Sequence, residues 1–230
     1  MKAIVLAGGL GTRLAGVTGK LPKPMAPVGS RPFLEYLLDY LIEQGSEEAV
    51  LAVSHKWEMI DKHFGDEYRG MGLSYSVEDE PLGTGGAIRQ ALEGLPDNEV
   101  VVVNGDTLFR VDLEEMAARH RSGRAQLSIA LKQVPESGRF GRVEMTPGGV
   151  ISRFLEKSSA GPGWINGGTY LVTRSLFADF PMPERFSFER DLVGPNIDRI
   201  RPRGFQSDAY FIDMGVPEDY ERAQREIGGE

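Results

Sequence analysis

The sequence contains no cysteine. That excludes disulfides, thiolate zinc sites and a cysteine nucleophile, and it is compatible with a reducing compartment. No apolar run reaches the roughly 20 residues that a membrane span requires. The apolar start Ala3-Ile4-Val5-Leu6-Ala7 meets Gly8 and Gly9 at once, which is too short for a signal peptide. A cytoplasmic protein is expected. Positive charge is also scarce: 26 Lys+Arg stand against 34 Asp+Glu, a formal net charge of −8. A broad basic face for nucleic acid or an anionic membrane is therefore not expected. A local basic pocket for a phosphorylated small molecule stays open. The three histidines, His55, His63 and His120, show no metal-ligand or triad spacing, and read as surface or structural residues. Ser54 and Ser187 lack the pattern of a nucleophile elbow. Nothing in the sequence argues for covalent catalysis.

What remains is an ordinary globular chain of 230 residues, 40% hydrophobic and 26% charged. It is long enough to bury a core without a disulfide or structural metal. Apolar runs at Ala3–Leu6, Ala49–Val53, Leu73–Val77 and Val100–Val103 predict buried strands. Helices are predicted between them, at Phe33–Gln44, Glu58–Phe64 and Ala87–Leu95, the last opened by Gly85 and Gly86. The alternation implies an α/β fold with a doubly wound parallel sheet. The second half is richer in strands: Gln126–Lys132, Gly141–Met145, Val150–Glu156, Gly168–Val172 and Phe211–Met214, with a closing helix over Pro217–Ile227. These are expected to extend the first sheet into a mixed one. A single domain over 1–230 follows, with parts over about 1–110 and about 111–227.

Chemistry concentrates in five places. The first is the loop Leu6-Ala7-Gly8-Gly9-Leu10-Gly11-Thr12-Arg13-Leu14, where glycines after a strand let the backbone cradle phosphate. A dinucleotide fingerprint fails because Leu14 occupies the place of its third glycine. A P-loop fails because Gly19-Lys20 is followed by Leu21. Next, Pro22-Lys23-Pro24-Met25 places Lys23 between two prolines, which predicts an extended, stiff segment. Arg13 and Lys23 then read as two cations converging on phosphates, or as a mobile turn and a solvated lysine. Asn104-Gly105-Asp106 follows the valine strand, where ligands bind in open α/β sheets. Asp106 is a suitable Mg²⁺ ligand there, or one side of an Asx turn. Asp213, inside Phe211-Ile212-Asp213-Met214-Gly215, is costly unless paired or metal-bound. It supplies a second carboxylate for the same ion, or leads the following helix. In Glu80-Pro81-Leu82-Gly83-Thr84-Gly85-Gly86, backbone groups read a base edge or simply turn the chain into a helix. Glu156-Lys157 and Asn166-Gly167-Gly168 read as contacts to sugar hydroxyls and a sugar phosphate; for Glu156-Lys157 a surface ion pair is the alternative.

Taken in order, these motifs resemble the sugar nucleotidyltransferases, the NDP-sugar pyrophosphorylases, from Met1 to about Gln224. Within that family the chain is most similar to guanylyltransferases of D-glycero-α-D-manno-heptose 1-phosphate. The closer likeness rests on Lys23-Pro24-Met25-Ala26-Pro27, Pro81 to Ala87, Ile165-Asn166-Gly167-Gly168, Phe186-Ser187-Phe188-Glu189 and Tyr210 to Tyr220. The resemblance implies a Rossmann-like, glycosyltransferase-A-like domain that joins GTP and a sugar 1-phosphate and releases pyrophosphate. It implies that Leu6, Ala7, Gly8, Gly9, Gly11, Thr12, Glu80, Leu82, Gly83, Thr84, Asn104 and Gly105 surround the nucleotide. Arg13 would hold the β,γ-phosphates and Lys23 the α-phosphate; both count with Asp106 as catalytic. Asp106 and Asp213 would bind Mg²⁺. Gly141, Glu156, Lys157, Asn166 and Gly167 would face the sugar phosphate. The nucleophile is already an anionic phosphate oxygen, so no general base is required, and positioning plus cationic charge suffices.

Two departures stand out. Ser158 follows Glu156-Lys157 where the family often has proline. The chain also ends near residue 230, where many relatives continue into a β-helix or acyltransferase domain, so no second activity is expected. Competing readings are a hexose 1-phosphate nucleotidyltransferase (mannose 1-phosphate with GTP, or glucose 1-phosphate with UTP or dTTP) and a non-catalytic nucleotide-sugar sensor. A nicotinamide dehydrogenase is disfavoured by Leu14. The resemblance further implies heptose units destined for a bacterial capsule, S-layer or cell-surface glycan. The oligomeric state is open.

Overall fold

The computed structural model describes residues 1–9, 21–155 and 161–229. Strand β1 (Lys2–Leu6) leads to a 3-10 turn at Lys23–Met25 and a small ribbon of β2 (Pro27–Val28) and β3 (Arg31–Pro32). Then come α1 (Phe33–Glu43), β4 (Glu48–Val53), α2 (Trp57–Phe64), β5 (Glu67–Tyr68), β6 (Met71–Val77), α3 (Gly83–Glu93) and β7 (Glu99–Asn104). The chain continues through β8 (Thr107–Phe109), α4 (Leu113–Ser122), β9 (Leu127–Val134), β10 (Val143–Met145), β11 (Ile151–Phe154) and β12 (Gly163–Thr173). It closes with α5 (Ser175–Asp179), a π-helical segment at Phe188–Val193, α6 (Ile197–Ile200), β13 (Arg203–Ser207), β14 (Phe211–Asp213) and α7 (Pro217–Glu226).

Ten of these strands form one mixed sheet. Its centre is parallel, β7-β1-β4-β6, in the register Ile4 beside Val50 and Val102. Strand β12 lies antiparallel to β7 and to β9, and joins the later strands to that centre. The valine run explains why the centre is buried on both faces. Val101 and Val103 pack with Ala3 and Val5 under α1 and α4, while Val100 and Val102 pack with Ile4 under α3. All four valines are at most 1% exposed. Side chains alternate between faces along a strand, so a sheet covered on both sides needs a continuous apolar run.

Among the elements that differ from the sequence expectation, three bear on the layout of the sheet and its helices. Helix α3 begins at Gly83 rather than Ala87, so its glycines lie inside the first turns. Strand β12 runs five residues ahead of Gly168 and carries glycines in its interior. Helix α4, unanticipated, buries only a narrow stripe of Leu113, Met116, Ala117 and His120. Its start is fixed by Asp112, whose side chain accepts the Glu115 N–H at 2.8 Å, a capping bond that a charged, weakly periodic stretch needs.

Candidate active site

The carboxyl ends of β1 and β7 meet where the glycine motifs stand. The Gly105 N–H donates to the Leu6 carbonyl at 3.0 Å, and the Ala7 N–H to the Ala52 carbonyl at 2.8 Å. A Cβ on Gly105 would lie 2.8 Å from the Leu6 oxygen, so glycine is required for this approach. Gly8 turns away from β1 with its carbonyl accepting from Ser54 Oγ at 2.6 Å. Among the described residues, no atom lies within 4 Å of a Cβ placed on Gly9. The rest of the predicted phosphate loop, Gly11, Thr12, Arg13 and Leu14, lies outside the described residues, as do Glu156, Lys157 and Ser158.

Lys23 is not in an extended segment. Pro22 is extended (φ −57°, ψ 144°), but Lys23 opens the 3-10 turn, with Ala26 N–H bonded to its carbonyl. Proline is tolerated in a first turn because the missing N–H has no helical partner there, and so Pro24 continues the turn rather than preventing it. Pro24 and Met25 are buried, which anchors the turn. The Lys23 side chain is only 12% exposed and its ammonium pairs with Asp106. Thr107 Oγ1 donates to the other Asp106 oxygen at 3.3 Å.

Asp213 reaches the same place from the opposite end of the chain. Strand β14 pairs with β8, setting Asp213 across from Thr107, and the Met214 N–H donates to the Asp106 carbonyl at 2.9 Å. Burial, followed by the negative charge of Asp106, pushes the Asp213 carboxyl up to about 6; Lys23 and Arg139 pull against that rise. Two carboxylates thus share one pocket with the buried Lys23 ammonium. Among the described residues no three His, Cys, Asp or Glu side chains gather as a metal-binding group. A divalent cation fits the pair all the same, since it would take two carboxylates here and complete its shell with phosphate oxygens and water.

The pocket holds about 770 Å³. Lys23, Asn104, Asp106, Gly141, Asn166 and Asp213, all singled out from the sequence, line it together. Asn166 enters at a register shift in β12, where Gly167, Gly168 and Thr169 stand against the single Ala130 of β9. Such bulges re-aim side chains beside functional sites. The Asn166 side chain is then fixed, accepting from Gly168 N–H at 2.9 Å and donating to Tyr170 Oη at 2.9 Å. Tyr170 donates in turn to Glu189 on the π-helical segment. Gly167 faces elsewhere: a Cβ there would strike the Phe109 ring, so its glycine is a packing requirement.

The base-edge candidates sit apart from this lining. Glu80 is exposed, while Leu82 N–H is held by Glu78 Oε2 at 2.8 Å. Burial raises the Glu78 carboxyl, and the Leu82 N–H opposes that. Gly83 (φ +71°) and Gly85 are pressed against Phe186, whose N–H donates to Leu82 O at 2.9 Å and whose carbonyl accepts from Gly85 N at 3.0 Å. Thr84 Oγ1 accepts from Phe188 N–H at 2.9 Å. The glycine-rich turn therefore docks the segment that carries Glu189.

Other lining residues, among them Arg139, Phe140, Arg142, Arg190, Tyr170 and Glu189, have no role assigned from the sequence. Phe186-Ser187-Phe188-Glu189 had marked the neighbourhood of the last, but no motif marked Arg139. His120 is buried between Ser128 Oγ (2.8 Å) and Thr173 Oγ1 (3.1 Å), and His63 pairs with Glu35; both are structural, as expected. No helix among the described residues is long and apolar enough to cross a membrane.

The family model described as nucleotidyl transferase matches residues 2–229. The chain is 47% identical to the D-glycero-α-D-manno-heptose 1-phosphate guanylyltransferase of Aneurinibacillus thermoaerophilus, over 99% of this chain and 98% of the relative. It is 45% identical to the enzyme of the same name from Campylobacter jejuni subsp. jejuni serotype O:2, over 96% and 97%. The crystal structure of HddC from Yersinia pseudotuberculosis complexed with GMP-PN superposes with a TM-score of 0.86 at 35% identity, covering 97% of this chain and 98% of that one.

Proposed function

The chain belongs to the nucleotidyl transferase family, and from that membership we propose that it makes GDP-D-glycero-α-D-manno-heptose and pyrophosphate from GTP and the heptose 1-phosphate. The observation that carries the reading is a near-full-length likeness to two guanylyltransferases of that sugar phosphate, joined to a pocket where Lys23, Asp106 and Asp213 converge. GTP as a substrate gives the enzyme a cytoplasmic place of action.

In this reading a phosphate oxygen of the sugar 1-phosphate attacks the α-phosphorus of GTP in line. One P–O bond forms, the bond to the bridging α,β-oxygen breaks, and its electron pair leaves with pyrophosphate. No proton need be removed, so the step calls for no general base. The backbone of Leu6, Ala7, Gly8, Gly9, Gly11, Thr12, Asn104 and Gly105 holds the nucleotide, and Arg13 takes the departing phosphates. Glu80, Leu82, Gly83 and Thr84 bound the guanine side. Lys23 offers a desolvated positive charge at the transferred phosphate, held in place by Asp106. Gly141, Asn166, Glu156 and Lys157 receive the sugar phosphate. A divalent cation held by Asp106 and Asp213, Mg²⁺ in this reading, supplies charge neutralisation on the reacting phosphates.

The test is pyrophosphate release with Mg²⁺ over a grid of ATP, CTP, GTP, UTP and dTTP against heptose, mannose and glucose 1-phosphates. A signal for GTP with heptose 1-phosphate, abolished in a folded Asp106→Ala variant, is the expected result. A dominant signal with another pair would replace the substrate. Silence across the grid from protein that still binds nucleotide would point to a sensor.

A further inference from the structure

The described lining holds three acids, Asp106, Asp213 and Glu189, and four cations, Lys23, Arg139, Arg142 and Arg190; the Lys23 ammonium is already engaged by Asp106. A sugar 1-phosphate entering beside them carries about two negative charges near neutral pH. Lys157, assigned to it above, balances one of these charges, and a second cation from the lining would balance the other. Arg190 also lines the pocket, but its guanidinium is bound to Asp191 at 2.8 and 3.1 Å and is 80% exposed.

Arg139 is placed differently. It stands on a turn in which the Phe140 and Gly141 N–H groups both bond the Ser137 carbonyl, at 3.0 and 3.3 Å. Its guanidinium packs 4.5 Å above the Phe140 ring and pairs through Nη2 with Asp219. Asp219 is itself buried, in the first turn of α7, with Arg222 at 3.6 Å on its other oxygen. That aspartate has a helix N-terminus and a second arginine to balance it, so it does not depend on Arg139 for neutralisation. Arg139 lies close enough to Asp213 to act on its charge. A guanidinium fork with one N–H tied down and a ring behind it loses little freedom on binding a second anion.

The geometry points to Arg139 as the residue that receives the phosphate of the sugar 1-phosphate, with Asp219 as the positioning residue that aims it. The assignment rests on the guanylyltransferase reading for its ligand. It also gives α7 a part in substrate binding.

The test is steady-state turnover with each substrate varied in turn, for Arg139→Ala, Arg139→Lys, Asp219→Asn and Arg142→Ala. Arg139→Ala is expected to raise KM for the sugar 1-phosphate about 10- to 100-fold, the weight of a charged hydrogen bond, with KM for GTP nearly unchanged. Arg139→Lys should recover part of the loss, keeping the charge without the fork. Asp219→Asn should shift the same constant in the same direction, and the Arg139→Ala/Asp219→Asn double variant should be no worse than Arg139→Ala alone. Equal effects on both substrates, no effect, or a selective loss in Arg142→Ala instead would overturn the assignment. Calorimetric titration of the wild type and Arg139→Lys with mannose 1-phosphate and heptose 1-phosphate separates the two ideas. Binding weakened by the substitution in a protein without turnover retires the reaction and keeps Arg139; turnover with binding unaffected does the reverse.

Discussion

Asp213 carries a conflict between stability and use. Its carboxyl is buried next to Asp106 and is pushed up to about 6 in the folded chain, from an ordinary 3.8. The folded state therefore binds the proton more tightly than the unfolded state does. The resulting stabilisation is complete below about pH 4 and disappears as pH rises through 6. At pH 7 to 8, without added metal, the folded protein holds a buried anion beside another. Asp213→Asn should then raise the stability of the metal-free protein by on the order of 2 kcal/mol at pH 8 and much less at pH 4.5. Urea titrations at both pH values read this, and a loss of stability at pH 8 would contradict it. The same variant should lose most of its turnover, as expected of a site whose strain serves a ligand. Asp213 was legible in the sequence because an acid in an apolar strand demands an explanation. Its partnership with Asp106 at one ion was also read from the sequence; the burial and the close approach that raise its pKa follow only from the pairing of β14 with β8.

Helix α3 shows what the glycines of Pro81 to Gly86 accomplish. Gly83 lies at φ +71°, and added methyls on Gly83, Gly85 or Gly86 would collide with Phe186 or Glu184. The run thus lets the segment Glu184–Phe188 dock against a helix start, and that segment carries Glu189 into the pocket wall. Gly85→Ala should cost about 1–3 kcal/mol through overpacking against the buried Phe186 ring. Adding Phe186→Leu should return part of that loss, a coupling that thermal denaturation of the single and double variants would expose. Additive effects would mean that the ring is not the obstacle. From sequence these glycines read as a base-edge contact or a plain turn. Packing against a segment about a hundred residues later is invisible to local pattern. The C-terminal helix α7 makes the same point. Gln224 and Tyr220 clasp the β2–β3 ribbon through the Pro27 carbonyl, and Gln224 also accepts from Gly29 N–H at 2.9 Å. That ribbon directly follows the Lys23 turn.

Across the whole molecule, α4 is stitched to the sheet by His120, which bridges Ser128 on β9 and Thr173 on β12. Burial lowers the His120 pKa below its ordinary 6.5. A histidine that is harder to protonate when folded stabilises the fold above about 6.5, and that contribution fades as pH falls through the lowered value. The unfolding midpoint should therefore drop between pH 7 and pH 5, and His120→Gln should flatten the decline. Parallel declines in both proteins would assign the acid sensitivity elsewhere. The parallel centre of the sheet, the strand ends that border the pocket, and the run from Val100 to Asp106 were determined by the sequence alone. Each is a contiguous pattern governed by local periodicity, burial and glycine geometry. The tertiary structure decided which distant charges meet: Lys23 with Asp106 across 83 residues and Arg139 with Asp219 across 80. Coulomb energy depends on separation in space, and only the folded sheet fixes that separation.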